Sequence, residues 1–421
     1  METIYIENFA GIKKMDFEFK SINVLIGPQG SGKSVTVKLL YFFKNFINEI
    51  VKNIENEESK RDLDKNQKEI FINFFPKETW PKDNFTITYT NNETSISLKK
   101  DDSKIIFEYS ENLKKLLTKC KKIYSTEKLK LIEDHKISSF RIKRELSTKI
   151  NRCIQDELGA ESTFEQFFIP AGRSFFANIQ STIFSFLSDN RSLDPFLIEF
   201  GSFYESLKRY YNDVITSSNN FNNSQQRQDK EFDDLISQIL NSSYLREKEK
   251  DYLVHKDNRK VNLTNASSGQ QETLPLIIIL KALNYISSSG GGFTLYIEEP
   301  EAHLFPTAQK KIIELLARTF NNQNRNFQIF ITTHSPYILS SFNNLIYAGN
   351  LAENVKYTKQ VEEVISSKEY LESYLFSVYS LKNNIKSSLM DEETKLISST
   401  ILDSVSEDIS LEFDKLLNIE F

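Results

Sequence analysis

The octapeptide at residues 27–34, Gly-Pro-Gln-Gly-Ser-Gly-Lys-Ser, constrains the fold more than any other stretch of this 421-residue chain. Its spacing is that of the Walker A phosphate loop, G-x-x-x-x-G-K-[ST]. An apolar run typical of a buried strand precedes it at residues 21–26, and an apolar-rich segment with helical periodicity follows it from residue 35. Strand, glycine-rich loop and helix in this order predict an α/β fold that binds a nucleotide at the loop.

The residue types of this loop suit phosphate binding. Glycines lack a Cβ, so the backbone N–H groups can approach an anion, and the following helix adds its positive N-terminal end. Lys33 is expected to reach the β- and γ-phosphates of ATP, and the hydroxyl of Ser34 is expected to bind Mg²⁺. The expected phosphate-binding residues are Gly27, Pro28, Gln29, Gly30, Ser31, Gly32, Lys33 and Ser34.

A second apolar run, residues 293–297, ends in two adjacent carboxylates, Glu298 and Glu299. This arrangement fits a Walker B strand. Glu298 is expected to hold Mg²⁺ through its water shell, and Glu299 to orient or deprotonate the water that attacks the γ-phosphate. Taken alone, the stretch is equally compatible with a strand that simply ends in an acidic turn.

Two more motifs flank that strand in the sequence. After it, an apolar run at residues 327–333 ends at His334, which is expected to hydrogen-bond the γ-phosphate and sense its presence. Before it, Ser268, Gly269 and Gln270 open an apolar helix, where a Ser-Gly turn provides a second anion site. Such a turn is also a good helix N-cap, and a lone histidine at a strand end is more often structural. The order of the motifs along the chain favours the nucleotide-binding roles.

Together these motifs resemble the ABC-type ATPase head of the SMC, RecF and OLD proteins, over residues 1–50 and 160–350. The resemblance implies a mixed α/β sheet with flanking helices, ATP and Mg²⁺ as cofactors, and a head-to-head homodimer that sandwiches two ATP molecules. Ser268 and Gly269 match the signature motif of that family, Gln270 replaces its second glycine, and His334 matches its switch histidine.

Two details of the family pattern stay open. The glutamine of the Q-loop has no obvious counterpart, and Gln166 is one candidate for it. Arg173, in the stretch Pro-Ala-Gly-Arg after a predicted strand, is a candidate for a residue near the nucleotide.

The amino-acid sequences of residues 297–306 and 332–339 look most like those of stand-alone bacterial ATPases of the OLD-like group. Many of these belong to anti-phage systems, such as the ATPase subunits of PARIS and Septu, where the ATPase partners a separate effector. The resemblance therefore implies a slow ATPase that acts as sensor or scaffold for a toxin or nuclease. The alternative is a RecF- or SMC-like DNA-repair ATPase that binds DNA through a basic insertion.

A nuclease centre within the chain is not expected. OLD proteins carry a Toprim nuclease after the ATPase, but no strand followed by Asp-x-Asp appears after His334. The one such triplet, Asp62-Leu63-Asp64, lies in a polar, charged run, and the four histidines do not form a zinc or HNH pattern.

Patterning divides the chain into three parts. Residues 1–52 and 160–350 form a discontinuous ATPase head, and residues 53–159 form an insertion that contains a β-hairpin and a basic helical arm or lid. Residues 111–152 carry 13 Lys or Arg against 5 Asp or Glu, which fits either a solvated helix face or a surface for nucleic acid or an acidic partner. Residues 351–421 are expected to be acidic and mostly helical, packed on the head or free to dock a partner.

Composition narrows the class of protein. A net charge of −5 argues against a protein that coats nucleic acid along its whole surface. The two cysteines, Cys120 and Cys153, have no C-x-x-C spacing and are expected to be free thiols in a reducing compartment. No signal peptide or run of about 20 apolar residues is visible, which predicts a cytoplasmic protein without membrane spans.

Overall fold

A computed structural model describes most of the chain. The described residues are 1–102, 104–133, 138–178, 194–216, 223–248, 250–286, 288, 291–322, 326–398 and 411. The predicted mixed α/β architecture with flanking helices is confirmed. Among the helices in these ranges, none is both long and apolar enough to cross a membrane.

A six-stranded sheet carries the motifs. Its order is β14-β13-β3-β12-β11-β7, and every neighbouring pair is parallel except β13 with β14. Helices cover both faces, so the inner strands are buried along their whole length and do not alternate between buried and exposed residues. The strands are β3 (Ile22–Ile26), β7 (Glu165–Ile169), β11 (Phe293–Glu298), β12 (Phe327–Thr333), β13 (Phe376–Lys382) and β14 (Ile385–Ser388).

A second sheet of five antiparallel strands packs against the first helix. Its order is β2-β1-β4-β5-β6, and its strands alternate between buried and exposed residues, as a sheet with one solvated face does. Strands from the predicted head and from the predicted insertion therefore hydrogen-bond side by side in one sheet. These strands are β1 (Glu2–Phe9), β2 (Ile12–Phe19), β4 (Phe85–Asn91), β5 (Thr94–Asp101) and β6 (Lys104–Tyr109).

A small third sheet, of order β10-β9-β8, precedes the Ser-Gly motif. It consists of β8 (Ser243–Glu247), β9 (Lys250–Val254) and β10 (Lys260–Asn262). The helices are α1 (Lys33–Glu55), α2 (Lys60–Phe74), α3 (Glu111–Glu133), α4 (Ser139–Leu158), α5 (Phe175–Asn178), α6 (Pro195–Thr216), α7 (Asn223–Leu240), α8 (Ser268–Leu283), α9 (Pro306–Asn322), α10 (Pro336–Ala352) and α11 (Thr358–Glu362).

A buried polar cluster joins the two large sheets through α1. The ammonium of Lys44 lies 3.0 Å from a carboxylate oxygen of Glu2 on β1 and also donates to Gln328 on β12. Tyr89 on β4 donates to Glu2 at 2.7 Å. Burial alone would raise the pKa of Glu2, but the Lys44 charge and the hydrogen bonds outweigh it and hold that pKa below its usual value. The cluster fixes α1, and with it the loop that precedes α1, against both sheets.

The predicted arm is an antiparallel pair of helices. Ion pairs between Lys119 and Glu157 and between Lys149 and Glu127 bridge α3 and α4, and both cysteines lie buried between the helices as free thiols. The arm also contacts the end of α1, where the hydroxyl of Tyr124 donates to the carbonyl of Glu55 at 2.8 Å. The basic residues thus lie on a helical hairpin that is packed against the rest of the protein.

The prediction of a mostly helical segment over residues 351–421 is wrong for residues 376–388. Strand β13 runs parallel to β3, and β14 follows it as an antiparallel edge strand. The cause is burial: the first four residues of β13 are all buried, since this strand fills the sheet position beside the phosphate-loop strand. An acidic helix or helix pair is predicted for residues 391–421, but residues 392–394 form a turn and Ile397 forms an isolated bridge with Met390. Beyond residue 398 the predicted helix lies outside the described residues, apart from Leu411.

Candidate nucleotide site

The phosphate loop connects β3 to α1, as its sequence predicted. Gly32 is the N-cap of α1 with a φ of 97°, a left-handed conformation that glycine adopts without strain. Gly27 packs so closely on β13 that a Cβ there would come within 2.1 Å of the carbonyl oxygen of Leu381. Lys33 Nζ donates to the carbonyls of Gly27 and Pro28 at 2.7 and 2.8 Å, which places the ammonium inside the curve of the loop.

Burial and nearby carboxylates have opposite effects on the pKa of Lys33. Only 4% of the residue is exposed, and this burial lowers the pKa of its ammonium. The nearby carboxylates of Glu299 and Glu301 act in the opposite direction and favour the charged form. The interaction shows that the Walker A lysine and these carboxylates share one site, although more than 260 residues of sequence separate them.

Glu298 ends β11 at the same edge of the sheet, and its donor atoms fit a divalent cation. Its Oε2 accepts a hydrogen bond from the backbone N–H of Ala171 at 3.4 Å. Its Oε1 is buried with no hydrogen-bond partner among the described residues, and the same holds for the hydroxyl of Thr332, its register neighbour on β12. Buried carboxylate and hydroxyl oxygens without partners are hard ligands, which can bind Mg²⁺ directly or accept hydrogen bonds from its bound waters. Ser34, one residue into α1, is exposed.

Glu299 and His334 face each other across the ends of β11 and β12. His334 Nε2 lies 3.3 Å from Glu299 Oε1, and their side chains are 31% and 38% exposed. Glu299 has a φ of 44°, a left-handed conformation that is uncommon for a glutamate and turns the chain sharply after the strand. A partly exposed carboxylate next to an imidazole can accept a proton from a water bound beside it.

Glu301 is a site residue that the sequence motifs did not single out, beyond a match of residues 300–303 to the D-loop of the family. One oxygen of its carboxylate accepts from the hydroxyl of Thr333 at 2.6 Å and from the backbone N–H of His334 at 2.7 Å. Its other oxygen is buried without a partner in the described part of the chain. Glu301 thereby holds the His334 turn against the Walker B turn. Its position, two residues after Glu299, was the available signal.

The Ser-Gly motif opens α8, with Ser267 as its N-cap. Gln270 closes a capping box with Ser267 and donates to the carbonyl of Leu240 at 2.7 Å. A Cβ on Gly269 would lie 2.7 Å from the carbonyl oxygen of His303, so α8 packs directly on the turn after Glu299. Within the described ranges, no hydrogen bond joins Ser268, Gly269 or Gln270 to residues 27–34.

The two open candidates have different positions. Gln166 lies in the first half of β7, away from the strand's site end, where it donates to the carbonyl of Phe164 and accepts from the hydroxyl of Tyr296 at 2.8 Å. It is a core residue and not a nucleotide contact. Arg173 is 1% exposed and lies behind the Walker B turn, where it donates to the carbonyl oxygens of Glu298 and Glu299.

The Asp62-Leu63-Asp64 triplet has structural roles on α2. Asp62 forms the capping box of that helix with Ser59. Asp64 accepts from Lys60 at 2.6 Å and from the hydroxyl of Tyr109 at 2.5 Å. Both carboxylates are therefore occupied by hydrogen bonds within the fold.

Comparison with known proteins identifies relatives of this chain. The model of the AAA ATPase domain family (AAA_15) matches residues 1–339. The retron Vc95 probable ATPase of Vibrio cholerae is 21% identical over 383 residues, which cover 81% of this chain and 71% of the relative. The retron Ec83 probable ATPase of Escherichia coli is 30% identical over 124 residues, and the endonuclease GajA of Bacillus cereus is 32% identical over 111 residues.

The last two matches are local. They span 22% of the Escherichia coli relative and 16% of endonuclease GajA. Among solved structures, the SMC head domain from Thermotoga maritima is similar at 12% identity with a TM-score of 0.36, over 92% of this chain and 97% of that one. An SMC head bound to a winged-helix domain of ScpA is similar at 11% identity with a TM-score of 0.40, over 93% and 98% of the two chains.

The family match covers the phosphate loop, the Walker B strand and His334 in one continuous span. The retron ATPases and GajA among the relatives confirm the resemblance to the SMC, RecF and OLD-like group that the motifs indicated. The chain belongs to the AAA ATPase domain family.

Proposed function

We propose that this protein binds ATP with Mg²⁺ at the edge of the six-stranded sheet and hydrolyses it to ADP and phosphate. The observation that carries the proposal is the meeting of Lys33, Glu298, Glu299 and His334 at the carboxyl ends of β3, β11 and β12. Lys33 and the loop N–H groups bind the β- and γ-phosphates, and Ser34 and Glu298 hold Mg²⁺, which neutralises charge on those phosphates. Glu299 accepts the proton of the attacking water, and His334 contacts the γ-phosphate.

Removal of the metal is the first test. Phosphate release by the purified protein is measured with ATP in Mg²⁺ buffer, then with excess EDTA, then after Mg²⁺ is restored. The site predicts loss of turnover with EDTA and its return with Mg²⁺, because the buried Glu298 oxygen is suited to a cation and not to a bare phosphate. Equal turnover with and without the metal would contradict the assignment of Glu298 and Ser34.

The proposal extends to how the ATPase acts. Two heads pair with ATP between them, and the paired state controls a separate effector, a toxin or nuclease, in defence against phage. Relatives that are named as ATPases of retrons support this setting. The test is co-expression with the product of a neighbouring gene: a complex of wild-type protein that changes composition with ATP, and a Lys33→Ala complex that does not, is the expected result. A composition that ATP leaves unchanged contradicts the proposal.

A second candidate function, DNA binding in the manner of a repair ATPase, is favoured by unpaired cations on the arm. Several exposed Lys and Arg side chains of α3 and α4 have no ion pair in the described ranges, whereas others are neutralised by Glu57, Glu111, Glu127 or Glu157. The unpaired set includes Lys115, Lys122, Arg144 and Arg152.

Two matched variants of the arm distinguish DNA binding from control of a protein effector. One variant changes the four unpaired cations to Ala, and the other changes four paired ones, Lys114, Lys119, Lys128 and Lys130, so that the net charge falls equally. If the arm binds DNA, the first variant loses affinity for DNA. The magnitude of its slope of log association constant against log salt concentration then falls by about 3 to 4, while that of the second variant changes less. Wild-type protein without salt-dependent DNA binding, or equal losses in both variants, counts against this function and favours protein control.

A further inference from the structure

The buried guanidinium of Arg173 donates hydrogen bonds to the backbone on both sides of the Glu299 Cα. Its Nη1 donates to the carbonyl of Glu298 at 2.8 Å, and its Nη2 donates to the carbonyl of Glu299 at 3.0 Å. These carbonyls belong to the two peptide planes that flank the Cα of Glu299. Fixing both planes fixes φ and ψ of Glu299, whose φ of 44° is unfavourable for a residue with a side chain.

The same arginine is tied to α8, the helix that carries the Ser-Gly motif. Arg173 Nε donates to the carbonyl of Glu272 at 3.0 Å, and the Glu272 carboxylate accepts from the backbone N–H groups of Arg173 and Ser174 at 2.9 and 2.8 Å. Glu272 lies four residues after Ser268 and is 1% exposed. The planar fork of an arginine contacts the carbonyls of Glu298, Glu299 and Glu272 from three different nitrogens, whereas a lysine has a single nitrogen and cannot contact all three in this geometry.

We propose that Arg173 and Glu272 form a positioning pair that holds Glu299 in its left-handed conformation and couples it to helix α8. Among the described residues, no hydrogen bond or ion pair joins Arg173 or Glu272 to the phosphate loop, so the pair acts through Glu299. A shift of the Ser-Gly end of α8 is passed through Glu272 and Arg173 to the turn that aims the Glu299 carboxylate. The inference rests on the proposed ATPase function, in which Glu299 activates water.

The test compares turnover with ATP affinity. Arg173→Met is expected to lower kcat by about 10²-fold, since a small misplacement of a catalytic group has effects of this size. The KM for ATP should stay within about threefold of wild type, because the phosphate loop is untouched. Arg173→Lys keeps the charge but loses the fork, so it is expected to restore folding and not kcat. Full rescue of kcat by lysine, or a rise in KM with unchanged kcat, overturns the proposal.

Two further variants guard against a simple loss of folding. The double variant Arg173→Met with Glu272→Met leaves no unpaired buried charge, so it tests the tether even where the single variant unfolds. Arg318, which pairs with Glu369 at 2.5 Å and is also buried, is the matched control. Arg318→Met should lower the melting temperature but leave kcat unchanged. A double variant with wild-type kcat, or an equal loss of kcat in Arg318→Met, contradicts the positioning role.

Amide hydrogen exchange separates this inference from the proposed function. The N–H of Glu299 donates to the carbonyl of Thr332 at 2.9 Å, and its exchange in Arg173→Met is expected to accelerate together with that of the first turns of α8. Unchanged exchange at both places refutes the tether. If the wild-type protein hydrolyses no ATP, the proposed function fails, and the exchange result still decides whether Arg173 and Glu272 hold the turn.

Discussion

Glu299→Gln protein is expected to bind ATP and retain it unhydrolysed. The amide keeps the size of the side chain and a contact to His334, which lies 3.3 Å from the carboxylate, but it cannot accept the proton of the attacking water. Loss of a general base lowers turnover by about 10²- to 10⁴-fold. The measurement is phosphate release, together with the nucleotide that remains on the protein after rapid desalting, identified by chromatography.

The control for this variant is an exposed glutamate outside the site, and Glu353→Gln should behave as wild type. Glu301→Gln is expected to fall between the two, because the amide keeps one oxygen that can accept from Thr333 and the His334 N–H. If Glu299→Gln turns over ATP at the wild-type rate, Glu299 is not the base.

Lys33→Ala protein is expected to lose ATP binding. The ammonium makes charge-assisted hydrogen bonds, and two such bonds to phosphate oxygens are worth roughly 3–6 kcal/mol, or at least about 10²-fold in Kd. Lys33 Nζ already lies within the curve of the loop, at 2.7 and 2.8 Å from two loop carbonyls, so little reorganisation is needed to reach phosphate. Titration of a fluorescent ATP analogue measures the change.

A lysine on the same helix provides the matched control. Lys38 pairs with Asp194 at 2.9 Å, one turn beyond the loop, and Lys38→Ala should bind the analogue as wild type does. Equal affinity of Lys33→Ala and wild type would remove the loop from nucleotide binding.

The motifs that can be recognised from the sequence are those whose residues lie close together in the chain. The loop at residues 27–34 contains its glycines, lysine and serine in one run, and the apolar strands before Glu298 and His334 could be read from hydropathy. The rule that parallel strands place their carboxyl ends at one edge then predicts that these residues meet, as Glu299 and His334 do.

The parts that were missed depend on contacts between distant residues. Arg173 contacts residues 99 and 125 positions away in the chain, and no local pattern distinguishes a buried, bonded arginine from an exposed one. The sequence predicts a helical segment where strand β13 lies, because the place of this strand beside β3 is set by a pairing across 354 residues, as between Ile22 and Phe376. Gln270 matched a signature glycine by position, whereas the structure uses it to cap α8.

The most direct test of an ATP-switched pair of heads is the mass of Glu299→Gln protein in solution, by light scattering, with and without ATP and Mg²⁺. If ATP pairs the heads, the mass rises from 49 kDa to twice that value only when both are present, with one ATP retained per chain. Lys33→Ala in the same buffers should stay at the lower mass. A mass that ATP does not change, whether monomer or a larger assembly, would contradict the claim that ATP drives the pairing.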